Sequence, residues 1–149
     1  MNMTEYEMAK DLQDLYDRAQ KIKSLETQVA GILETVPVFS EELFFGSEEL
    51  HQAATYETKL TSAELRLTDS QTDLKKKEHM FLSKLPKTIL SAMREDGKFI
   101  HAMWIAQGQS PTKFGPHAAY FDEEKLVVEP FTNFHAFKEG FEHRRSKKQ

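Results

Sequence analysis

The feature that most constrains this chain is a run of apolar residues spaced alternately four and three apart through its first quarter. From Met8 they recur at Leu12, Leu15, Ala19, Ile22, Val29, Leu33 and Val36. One position breaks the series, because Glu26 stands where an apolar residue is due and Leu25 sits beside it. A helical turn of 3.6 residues brings such positions onto one stripe, and a sustained seven-residue repeat is the seam of a coiled coil. A strand, with its period of two, cannot use this spacing. Thr4 followed by Glu7 is a capping-box signature, and Pro37 closes the run, so the pattern predicts a helix over residues 5–35.

A second stripe follows. Ala53, Leu60, Leu67, Leu74 and Phe81 stand seven apart, with Tyr56, Ala63, Ser70 and Lys77 between them. Ser47 provides a side-chain cap, and Glu48 and Glu49 fall where the helix dipole favours acids, which predicts a helix from 47 to about 83. Two amphipathic helices joined by a short connector fold back as an antiparallel coiled-coil hairpin. The second seam degrades from Ser70 to Lys77, and there we expect a further element or a second molecule to pack. The connector is unusual in holding Phe39, Phe44 and Phe45. These either pack back on the helix ends or form an exposed contact patch, and they are the first candidate partner-binding residues.

Pro86 interrupts the helical pattern and suits the first turn of a short helix over 86–94, with Ile89, Leu90 and Met93 on its apolar face and Gly97 as its stop. The period then changes. Residues 98–106 are short, apolar and aromatic, the signature of a strand buried on both faces. Gly108, Ser110, Pro111, Gly115 and Pro116 punctuate a loop, and 117–121 with 125–129 form a hairpin around Asp122-Glu123-Glu124. Thr132 or Asn133 can cap a final helix whose Phe134, Phe137 and Phe141 share one face, followed by a basic frayed tail at 144–149. The expected fold is α+β and predominantly helical: a long antiparallel coiled-coil hairpin, a small three-stranded antiparallel sheet and a C-terminal helix. The expected divisions are 1–84, 85–143 and 144–149.

Composition supports a folded chain. Of 149 residues 39% are hydrophobic, eleven of them Phe, which is enough for a core. Cysteine is absent, excluding disulfides and thiolate metal sites and fitting an intracellular, cytoplasmic protein. The N-terminus has no basic-then-apolar leader, and no stretch approaches the roughly 18 apolar residues a membrane span needs, so we expect neither secretion nor membrane insertion. Charge is uneven: residues 1–57 carry −8 and the remainder +4, for the net −4. Such a chain can pair with itself head to tail or attract a basic partner, although solvated faces of exposed helices are the simpler and preferred explanation of the charges.

Chemistry has few footholds. The six histidines form no HExxH or His-x-His pattern, and the sequence carries no Gly-x-Ser-x-Gly and no phosphate-binding glycine loop. We expect no metal, no cofactor and no enzymatic activity. The least implausible cluster joins His101, His117 and Glu129 on adjacent strands. The loop of residues 107–116, with Lys113 in it and His101, Trp104 and His117 beside it, makes a candidate ligand pocket, although a plain hairpin connection is the simpler reading. Lys75-Lys76-Lys77 and the basic tail are too dispersed, at pI 5.9, to predict nucleic-acid binding. No residue motif of a known family can be quoted.

The sequence therefore favours a non-enzymatic interaction or assembly protein, an oligomeric adaptor acting through the hairpin. A second reading is an acidic inhibitor presenting Asp11, Asp14 and Asp17, with Glu5, Glu7, Glu26 and Glu34, to a nucleic-acid-handling enzyme. A third is a ligand-binding domain or enzyme using the region around Trp104.

Overall fold

A computed structural model of the chain describes residues 4–38, 42, 46–105 and 113–148, with the side chains of 104, 105, 113, 114, 147 and 148 outside that description. Four helices and three strands follow in the order α1 (Glu5–Glu34), α2 (Glu48–Lys84), α3 (Lys87–Glu95), β1 (Ile100–Ile105), β2 (Lys113–Asp122), β3 (Lys125–Pro130) and α4 (Phe134–Lys148). The expected fold class is the observed one.

Each long helix starts at the cap read from sequence. The Glu7 amide donates to Thr4 Oγ1 at 3.1 Å, and the Leu50 amide donates to Ser47 Oγ at 3.2 Å. Both satisfy backbone donors that the first turn leaves free, with acids beside them. The helices run antiparallel, as two ion pairs show: Arg18 with Asp73, and Lys84 Nζ with Asp11 Oδ2 at 3.3 Å. The chain divides into two compact units, residues 17–76 and the combination of 1–16 with 77–149. The division expected at residue 84 therefore falls elsewhere, because the first turns of α1 and the last turns of α2 belong with the sheet.

In the unit of residues 17–76, burial follows a slipped stripe. Ile22 is buried, Leu25, Val29 and Ile32 are half-buried, and Glu26 is exposed. The steps are three, four, three, so Leu25 and Ile32 take the places due to positions 26 and 33 while Val29 keeps its own. Coiled coils absorb such breaks by local changes of winding. Leu33, expected in the seam, is 50% exposed, and Val36, past the helix end at Glu34, is 58% exposed. On α2 the expected stripe holds: Ala63 is buried and Ala53, Tyr56, Leu60, Leu67, Ser70 and Leu74 are half-buried.

The other unit holds most of the buried residues: Ala9, Leu12, Leu15, Phe81, Leu85, Met93, Ala118, Ala119 and Tyr120. Gly97, at φ +61°, stops α3 as expected. The sheet order is β1-β2-β3, antiparallel throughout. The β1–β2 register slips between Ala102, paired with His117, and Trp104, paired with Phe114. Pro116 lies in the extra stretch of β2, where a residue without an N–H costs no ladder bond. Glu123 and Glu124 form the β2–β3 turn with φ +51° and +70°, the backbone of a type I′ hairpin built without its usual Asn-Gly.

Three expectations need correction here. The first strand is not buried on both faces: His101 is exposed and Met103 is 51% exposed, while Ile100 and Ala102, which alternate with them, are half-buried. The second strand begins at Lys113, so part of the expected loop is ladder. The basic tail is not frayed at its start, since α4 continues to Lys148 and both Arg144 and Arg145 are tied down. Their hydrogen bonds are what the composition of the tail alone could not reveal.

Candidate functional site

Strand register decides what the histidines can do. His101 pairs with Ala118 and Ala118 with Glu129, which puts those three on one face of the sheet. His117 pairs with Ala102 and Pro130, on the opposite face. The expected His101–His117–Glu129 cluster therefore does not form, and neither does a pocket using both histidines. His117 is 4% exposed; its Nδ1 lies 2.9 Å from the Gly115 carbonyl oxygen, and its ring centroid is 5.1 Å from that of Tyr16 on α1. The Gly115 amide donates to Gln13 Oε1 at 3.3 Å, so the first turns of α1 pack on this face. Arg94 of α3 covers it further along, 5.2 Å above the Phe121 ring. Among the described residues no group of three or more potential metal ligands occurs. The side chains of Trp104 and Lys113 lie outside the described residues.

The other face carries the aromatic layer expected from Phe134, Phe137 and Phe141 and, beside it, a polar cluster that sequence reading missed. Asn133 caps α4 through the Ala136 amide at 3.0 Å and orients it so that Phe134, Phe137 and Phe141 meet the sheet. Phe99 sits among them, with ring centroids at 6.0, 5.0 and 5.0 Å, and His101 lies 4.5 Å from Phe134. Beside this aromatic layer Tyr120 Oη donates to Glu129 Oε2 and Arg144 Nη2 donates to Glu129 Oε1, both at 3.2 Å. Arg144 also stands 5.9 Å above the Tyr120 ring. Burial, and then the negative charge of Glu129, raise the Tyr120 pKa above its ordinary 10.0. One turn-and-strand away, Arg145 Nη1 donates to the Gly97 carbonyl at 2.8 Å. Both carboxylate oxygens of Glu129 are occupied, so the arrangement neutralises itself and fastens α4 to the sheet. A cleft of 410 Å³ remains, lined by Gly97, Tyr120, Phe121, Asp122, Glu123, Phe141, Arg144 and Arg145. Its two guanidiniums are already hydrogen-bonded, to Glu129 and to the Gly97 carbonyl, and no serine, threonine, cysteine or lysine is among its lining residues. The sequence signal for this cluster was only the alternation of Tyr120 with its neighbours; the link to residue 144 is tertiary.

The remaining candidate lies in the unit of residues 17–76. A groove of 730 Å³ opens between the end of α1 and the start of α2, lined by Ile32, Thr35, Pro37, Gly46, Glu48, His51, Gln52, Thr55, Tyr56 and Lys59. A second hollow of 590 Å³ continues along the helices from Gln28 to Arg66. Beside them Leu33, Val36 and Val38 are 50%, 58% and 97% exposed. Leu65 is 60% exposed as well. Phe39, Phe44 and Phe45, expected to form a contact patch, lie outside the described residues. Of the acids expected on an inhibitory face, Asp11 is engaged by Lys84, and Asp14 and Asp17 have interactions of their own. No helix among the described residues is long and apolar enough to cross a membrane. Comparison with family models, with curated proteins and with solved structures returns no match.

Proposed function

We propose that the chain is an interaction protein that engages another protein through the end of its helical hairpin where α1 finishes and α2 starts. The observation that carries this reading is the exposure of Leu33, Val36 and Val38 beside the 730 Å³ groove. Scattered single apolar residues on a surface need no explanation, but several in close sequence at the rim of a groove remove apolar area from water when a partner covers them. At about 25 cal/mol per Å² such burial contributes a useful share of a binding free energy. Nothing equivalent supports catalysis: His101 and His117 lie on opposite faces of the sheet, and the Tyr120–Glu129–Arg144 cluster is satisfied internally.

The reading is tested with a photo-crosslinking amino acid placed at Val36, and as control at Thr88 on α3, in cells making the protein. Adducts to one discrete protein species are expected from position 36 and not from position 88. Adducts from neither position, or the same adducts from both, reject the assignment of the hairpin end as the binding surface.

A further inference from the structure

We infer that the open edge of β1 pairs antiparallel with β1 of a second copy of the chain, about a two-fold axis at Ala102, joining the two sheets into one. β1 is paired with β2 along one side only. The ladder fixes which of its groups point away from β2. Asp122 and Lys125 close the two-residue turn as a hydrogen-bonded pair, and the Phe131 amide donates to the Pro116 carbonyl at 3.2 Å. From Pro116 to Asp122 the even-numbered residues of β2 therefore bond to β3, and His117 and Ala119 bond to Ala102 and Ile100. By alternation the N–H and C=O groups of His101 and Met103 point to the open side, where they meet no backbone partner among the described residues.

An antiparallel copy satisfies both at once. With Ala102 opposite Ala102, His101 faces the second copy's Met103 and Met103 faces its His101, and each pair exchanges two N–H···O bonds. Both side chains, exposed in the single chain, then cover each other, thioether against imidazole. Ala102, the smallest residue of the strand, stands at the axis, where an antiparallel ladder brings its strands closest. Ile100–Ile105 carries no acid, lysine, arginine or proline to discourage such pairing. The other edge is guarded: β3 holds Lys125 and Glu129, and Pro130 has no N–H to offer on its outward side. Pairing of β1 with β3 of the next copy would also run on without closing, whereas β1 with β1 closes at two.

The test is sedimentation of the full-length chain and its edge variants at micromolar concentration, where the parent is expected to be a dimer. Met103→Pro removes an outward N–H and breaks no bond to β2, so it should keep the parent's circular dichroism and raise the dimer dissociation constant at least about tenfold. Met103→Lys, which keeps the backbone donor and brings a charge to the edge, should weaken the dimer as well. The chain contains no cysteine, so Ala102→Cys can form a disulfide only between copies. The axis holds the two Cα atoms about 4.5 Å apart, within disulfide range, and mild oxidation should give a covalent dimer of Ala102→Cys but not of Thr88→Cys on α3. A monomeric parent would overturn the inference, and so would equal crosslinking, or none, in the two cysteine variants. So would a dimer undiminished by Met103→Pro or, if that chain does not fold, by Met103→Lys.

Discussion

Replacing Gly97 by alanine tests the junction between α3 and the sheet on two separable grounds. At φ +61° the residue occupies the left-handed region, where an L side chain costs about 1–2 kcal/mol. A Cβ built there would also lie 2.4 Å from Cζ of Arg145, so the guanidinium must swing away. That movement breaks the 2.8 Å bond from Arg145 Nη1 to the Gly97 carbonyl, and a charge-assisted bond of this kind is worth about 1–2 kcal/mol when partly exposed. Gly97→Ala should therefore destabilise by about 2–4 kcal/mol, read as a lower urea midpoint at unchanged slope. In the Arg145→Ala background only the backbone contribution survives, and the same substitution should cost about 1–2 kcal/mol. The double-mutant cycle isolates the difference. A cost below about 1 kcal/mol in the parent chain, or an equal cost in both backgrounds, would refute the account of how Arg145 and Gly97 depend on each other.

Three further outcomes are expected. Glu124→Gly, at φ +70° in the two-residue turn, should stabilise the protein by about 0.5–1 kcal/mol in the same urea experiment, because glycine adopts that conformation without strain. Tyr120 has its folded pKa raised above 10.0, so it contributes stability that is complete below pH 10 and is lost as pH rises through the folded value; absorbance titration at 295 nm should show one late tyrosinate that disappears in Tyr120→Phe, whose stability should fall less steeply above pH 10. Leu12→Ala, at a fully buried position, should cost about 3 kcal/mol, whereas Leu33→Ala, half exposed, should cost under about 1 kcal/mol by thermal or urea unfolding.

Much of the fold was legible because its signals are local. Thr4, Ser47 and Asn133 mark helix starts by the side-chain oxygens they offer, and Gly97 marks a stop by the one conformation it tolerates. The period of Leu60, Leu67 and Leu74 fixed the inward face of α2. What escaped prediction depends on distant pairing. Whether His101 and His117 share a face is settled by which residue of β1 meets Ala118, and composition carries no trace of that register. Arg144 and Arg145 read as tail because their partners, Glu129 and the Gly97 carbonyl, lie 15 and 48 residues away in sequence. At Leu25 the signal was visible but ambiguous: the sequence showed a break without showing which neighbour the seam would adopt. The candidate surface at Leu33 and Val36 depends on that choice, so it was read as packing when it is exposed.

The slipped stripe gives α1 two different mutational histories along one continuous helix. Between Ala9 and Ile22 the side chains of Ala9, Leu12, Leu15 and Ile22 are withdrawn from water, and a selection for folding alone would register nearly every change of volume at Leu12, Leu15 or Ile22. Such a selection would pass over Leu33, where the neighbour is solvent. Only a selection for what the protein does would register it, so comparing the two screens position by position would outline the working surface before any partner is known.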